Sequence, residues 1–150
     1  MATQPKFRIN GLVDTSKNVL DNLNTLANQS GCFLTWDPNA GKWHVILNDT
    51  TSSSFSFNDS NILGEINVSG TGLTEMYNGV TVSFPHKDMR DTVDSIDVTI
   101  LNSDRYTDEI DNTLVLSLPH VNDPVQAQLI ASRELKQTRL DMIIEFRTNY

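Results

Sequence analysis

Only two stretches of this chain carry apolar residues at a helical period, and they lie toward its two ends. Between them run short alternating segments, each closed by proline, glycine or asparagine. In the first helical stretch Val19, Leu20, Leu23, Leu26 and Ala27 follow i, i+1, i+4, i+7, i+8 spacing, which gathers them on one face. Asp14, Thr15 or Ser16 is the expected cap, and Ser30-Gly31 the expected stop, because glycine tolerates the left-handed conformation past a helix end. The spacing predicts a helix over 16–30. A second is predicted over 124–138, opened by Asp123-Pro124-Val125-Gln126: an N-cap, proline at N1 and glutamine at N3, as in a capping box. Its stripe is Ala127, Ile130, Ala131, Glu134 and Leu135. Leu23, Leu26, Ile130 and Leu135 are expected in the core.

The segments between and around these helices read as strands. Lys6–Ile9 alternates and is broken by Asn10-Gly11. Cys32–Trp36 and Lys42–Leu47 flank Asp37-Pro38-Asn39-Ala40-Gly41, a hairpin turn with proline early and glycine late. Residues 48–61 form a polar loop with a short strand expected around Phe55 and Phe57. Further strands are expected at Glu65–Ser69, Gly79–Phe84 (closed by Pro85), Ile96–Leu101, Thr113–Leu118 and Leu140–Arg147. Two helices and about eight short strands predict an α+β fold: an antiparallel, β-rich domain with two amphipathic helices packed on the sheets. The length of 150 residues suits one domain over 1–150. The last strand runs to the end of the sequence without turn chemistry, which points to a fragment of a longer protein or an edge completed by another chain.

Charge narrows the function. Eleven Lys+Arg against 19 Asp+Glu leave a net −8, and duplex binding needs clustered bases. Residues 88–111 alone hold eight acids and two bases. This segment is either a solvated face or an acidic wall or docking surface, with Asp94, Asp97, Asp108 and Asp111 as the lumen or docking candidates. No apolar run approaches the ~20 residues a membrane span needs.

Spacing gives little support for catalysis. His44, His86 and His120 lie far apart, no metal-ligand pair spacing occurs, and the single cysteine, Cys32, reads as a small buried hydrophobe. The aspartates at 88, 91, 94 and 97 step by three, whereas a calcium loop needs acids at alternate positions, a central glycine and a closing glutamate. No P-loop or G-x-S-x-G is present, and no carboxylate pair stands out. The expectation is therefore no enzyme, no metal and no cofactor. Trp36 and Trp43, which flank the hairpin turn, would with Tyr77 be the ligand platform of a carbohydrate- or peptide-binding module, the alternative function.

The order of features carries a resemblance. Phe7-Arg8-Ile9-Asn10-Gly11-Leu12-Val13-Asp14 precedes a helix, then come Gly31-Cys32-Phe33-Leu34-Thr35-Trp36 and Gly41-Lys42-Trp43-His44-Val45-Ile46. Tyr77-Asn78-Gly79-Val80-Thr81-Val82-Ser83-Phe84-Pro85 follows, and a helix with Ala127, Ala131, Arg133 and Leu135 leads into Met142-Ile143-Ile144-Glu145-Phe146. In this order the chain resembles the phage tail-tip and baseplate hub family that includes the lambda tip attachment protein. A Pro-Gly-Asp type turn that follows the last strand in that family is absent from this sequence.

The resemblance implies a virion structural protein of a tail tip or baseplate, made in the host cytoplasm. It implies a homotrimeric ring that closes the tail tube and takes part in host attachment and DNA ejection. The implied partners are the tail tube and distal tail proteins, the tape-measure protein and host-recognition fibre or spike proteins. Neither enzymatic activity nor specific nucleic-acid binding is implied.

Overall fold

A computed structural model describes residues 7–48, 55–72 and 76–148. Two helices and seven strands follow in the order α1 (Val19–Gln29), β1 (Cys32–Asp37), β2 (Lys42–Leu47), β3 (Ile62–Gly70), β4 (Gly79–His86), β5 (Thr92–Thr99), β6 (Thr113–Ser117), α2 (Pro124–Thr138) and β7 (Met142–Thr148). The fold is α+β and β-rich. Its strands make three separate sheets: a β1–β2 hairpin, a β3–β7 ribbon and a three-stranded sheet ordered β5-β4-β6. Every pairing is antiparallel except β4 with β6, which run parallel.

The core lies on one face of the three-stranded sheet. Val80, Val82 and Phe84 of β4 alternate inward and are at most 1% exposed. Ala127, Ile130, Ala131 and Leu135 of α2 pack against them, joined by Leu118 and Val121. The expected α2 stripe is thus the core face, apart from the half-buried Glu134. Asp123 caps this helix by accepting from the Val125 N–H at 2.9 Å. Gln126, however, does not close a capping box. Its amide accepts from the Arg8 N–H and donates to the Arg8 carbonyl, both at 2.9 Å, as a neighbouring strand would. Residues 7–9 are accordingly not a strand, since a side chain satisfies their backbone; Lys6 lies outside the described residues.

Helix α1 is shorter than its apolar period suggests. Asp14 is engaged in a turn, accepting from the Ser16 N–H and hydroxyl, and Asn18 is the actual N-cap, accepting from Leu20 N–H at 3.0 Å. At the other end Ser30 caps the helix and Gly31 takes φ +73°. Leu23 is 36% exposed and Leu26 is half-buried, so Ala27 is the one residue of α1's apolar face that is buried. The helix packs on strand β1 of the hairpin rather than on the main sheet, and a two-stranded hairpin is too narrow to cover it.

Strand boundaries moved for local reasons. Pro85 does not end β4: it pairs with Val93, and β4 continues to His86. The Leu118 N–H reaches the Ser83 carbonyl at 2.8 Å, where the β6 pairing ends, so beyond Ser83 the side of β4 that Pro85 leaves without an N–H has no strand to bond. The expected strand at Ile96–Leu101 occupies Thr92–Thr99 instead. Residues 55–58 form no strand, although Phe55 and Phe57 meet edge to face with centroids 5.0 Å apart; residues 49–54 of that loop lie outside the described residues.

Candidate functional site

The acidic segment 88–111 is tied down by arginines that sequence spacing does not reveal. Arg139, just past the end of α2, donates to both Glu109 carboxylate oxygens at 2.6 and 3.0 Å. It also donates to the carbonyls of Tyr77 (3.2 Å) and Asp104 (3.0 Å), and its guanidinium lies 5.3 Å over the Tyr106 ring. The side chain of Glu109 is 1% exposed. Arg139 beside it, with the Tyr106 N–H, holds its carboxyl well below the ordinary 4.5, at about 2. Arg105 pairs with Asp111 in the same loop. Asn78 and Asn112 lock the loop's exit to β4: the Asn78 amide donates to Ile110 O at 2.8 Å, and its oxygen accepts from Asn112 N–H at 3.0 Å.

The four candidate aspartates do not share one face. Asp94 pairs with Phe84 and so stands on the α2 side of the sheet, half-buried. Asp97, three residues on and therefore on the opposite face of the strand, accepts the Thr81 hydroxyl at 2.6 Å. Asp108 sits exposed in a left-handed turn at φ +63°. Asp111 is 85% exposed despite its Arg105 partner. They form a distributed negative surface around β5 and its following loop rather than one convergent cluster.

Trp36 and Trp43 do come together. They are directly opposite across the hairpin, centroids 5.3 Å apart at 66°, and each is 47% exposed. That edge-on angle offers a sugar one ring face, not a flat two-ring platform. Tyr77 is not part of the pair; it packs against the main core and offers its carbonyl to Arg139.

The histidines have structural partners. His44 meets Asp37 across the hairpin at 3.4 Å. His86 Nδ1 accepts from Asp88 N–H at 3.2 Å, starting the turn that Arg90 and Asp91 complete at positive φ. His120 is buried; its Nε2 lies 3.1 Å from Leu12 O, its N–H donates to Gln29 Oε1 at 2.9 Å, and its carbonyl accepts from Asn10 N–H at 2.8 Å. Together with Gln126 it straps residues 8–12 across α2. Pairs more than ninety positions apart leave no periodic signal, which is why this strap is invisible in the sequence.

A cleft of about 350 Å³ opens between α1, β1, β6 and α2, bounded by Cys32, Asn28, Ser117, Arg133 and Glu134. Cys32 is buried, and its thiol donates to the Ser30 carbonyl at 3.6 Å. Arg133 reaches Glu134 at 3.3 Å and Asn28 O at 3.5 Å, and stacks 5.8 Å over Phe7. Among the described residues no three His, Cys, Asp or Glu side chains converge as metal ligands, and no helix is long and apolar enough to cross a membrane. No protein-family model matches the chain, and no curated protein matches it.

Proposed function

We propose that this chain is a structural domain of a tailed-phage tail tip or baseplate hub, acting by assembly. The observation that carries this reading is how the molecule divides its surface. Among the described residues a single small core lies under β4, while α1, the β1–β2 hairpin and the β3–β7 ribbon keep large apolar side chains half-exposed: Trp36, Trp43, Val45, Ile144 and Phe146 are 36–61% accessible. Surfaces of that kind mark protein–protein contacts. The polar side chains that could act chemically are instead spent on fixing the chain: Arg139 on the acidic loop, His120 and Gln126 on the strap.

The order of sequence motifs supplies the rest of the reading: a threefold ring around the tail axis, bound to tube, distal tail and tape-measure proteins and to host-recognition parts. The exposed acids of residues 88–111, among them Asp97, Asp108 and Asp111, suit a surface past which DNA moves, since like charge repels phosphate over the ~8 Å that physiological salt allows. Quantitative mass spectrometry of purified tails from the phage that encodes the chain tests this. Three copies per tail are expected, and absence from the tail would overturn the reading.

A further inference from the structure

Strands β3 and β7 are each other's only strand partner among the described residues, and no other described strand lies along the outer edge of either. Alternation places Val68, Met142, Ile144 and Phe146 on one face of this ribbon. Phe57 meets Phe146 edge to face at 5.0 Å, and Phe55 meets Phe57 at 5.0 Å. These six side chains are 36–61% exposed. A two-stranded ribbon with a bare apolar face is marginal in water, and free edges are templates for another strand.

We propose that β7 of one copy adds antiparallel to the free edge of β3 in the next, so that copies of this chain join head to tail through the ribbon. The proposal rests on the ring reading above and names its contact. Charge points to a second copy. Within one copy the irregularity between Leu63 and Asn67 sets Arg147 opposite Leu63 and leaves Glu65 without a cross-strand partner. Between copies, an uninterrupted pairing that continues the Asn67–Glu145 register brings Glu65 opposite Arg147 of the partner subunit. The same register sets Ile66 opposite Phe146 of the partner subunit and Val68 opposite Ile144 of the partner subunit. One opposite-charge pair and two apolar pairs then meet at the Glu65–Val68 part of the seam. One contact buries both free edges of every copy, and a head-to-tail contact is the kind that closes into a ring. The ribbon carries only Glu65, Glu145 and Arg147 as charges, so the acidic segment does not oppose this approach.

Sedimentation velocity and native mass spectrometry of the chain at micromolar concentration test the contact. A closed oligomer is expected. Glu65→Arg and Arg147→Glu should each weaken association about tenfold through like-charge contact, and the double reversal should restore it. Unchanged circular dichroism and melting temperature in each variant establish that the fold is intact. A chain monomeric at all concentrations overturns the second copy as the ribbon's occupant. An oligomer indifferent to both reversals, or a closed symmetric dimer, overturns the head-to-tail register while leaving the ring reading to the tail measurement. Conversely, charge-dependent rings from a chain absent from tails would keep this contact and remove the tail assignment.

Discussion

Arg139 grips Glu109 through both carboxylate oxygens, at 2.6 and 3.0 Å, and so joins the end of α2 to a loop thirty residues earlier. With the Tyr77 and Asp104 carbonyls also bound to Arg139, one side chain sets where the acidic segment lies. Arg139→Ala leaves the Glu109 carboxylate inaccessible to water and without its cation, a larger loss than removing an exposed pair. Amide exchange should accelerate across residues 101–112 while the β4 amides stay protected. Arg139→Lys should give an intermediate effect, because an ammonium cannot make the two-pronged contact.

Acid should act on the same loop. Glu109's folded-state value is depressed, from 4.5 to about 2, so its contribution to stability is fully present above pH 4.5 and is lost as the pH falls through about 2. Loop exchange measured across that range should rise between those limits. On the alkaline side, the Asp123 carboxylate 2.6 Å from Lys87 raises the lysine above its ordinary 10.5. Its stabilising contribution is present below 10.5 and is lost only as the pH rises through the higher folded value. In Glu109→Gln the acid-dependent change in loop exchange should disappear.

Two glycines at positive φ should respond differently to alanine. At Gly41 (φ +60°) an added Cβ meets open space, so Gly41→Ala should cost only the ~1–2 kcal/mol of the left-handed backbone. At Gly31 (φ +73°) the same Cβ collides with the Arg133 guanidinium and stands 3.2 Å from the Phe7 ring. Gly31→Ala should therefore cost more than Gly41→Ala in denaturant titration, and should loosen the strap over α2.

The core and the α1 face should separate just as clearly. Phe84, 1% exposed beneath α2, should cost about 3–5 kcal/mol when changed to alanine. Leu23, still 36% exposed, should cost less, about 1–2 kcal/mol in the isolated chain, since about a third of its surface stays in water on folding. Equal losses at the two sites would contradict the placement of the core.

The sequence shows plainly what depends on periodicity. The α2 stripe, the hairpin with its Asp37–Gly41 turn and the inward alternation of Val80, Val82 and Phe84 all follow from spacing. Leu23 shows the limit of that evidence, because a pattern reveals which residues share a face but not whether anything covers it. The parallel β4–β6 pairing and the clamp of Gln126 on Arg8, 118 residues away, depend on tertiary placement and leave no local trace. The acidic candidates divide in the same way. Their density is evident from composition, whereas the opposite facing of Asp94 and Asp97 follows only once both are known to lie on one strand.

On the proposed reading this chain works by assembling around a tail axis, and a reconstruction of a tail tip from a phage that carries its gene tests that most directly. The expected result is three copies around the axis, with β7 of each paired to the outer edge of β3 in its neighbour. A tail tip whose density holds no copy of this fold would contradict the account.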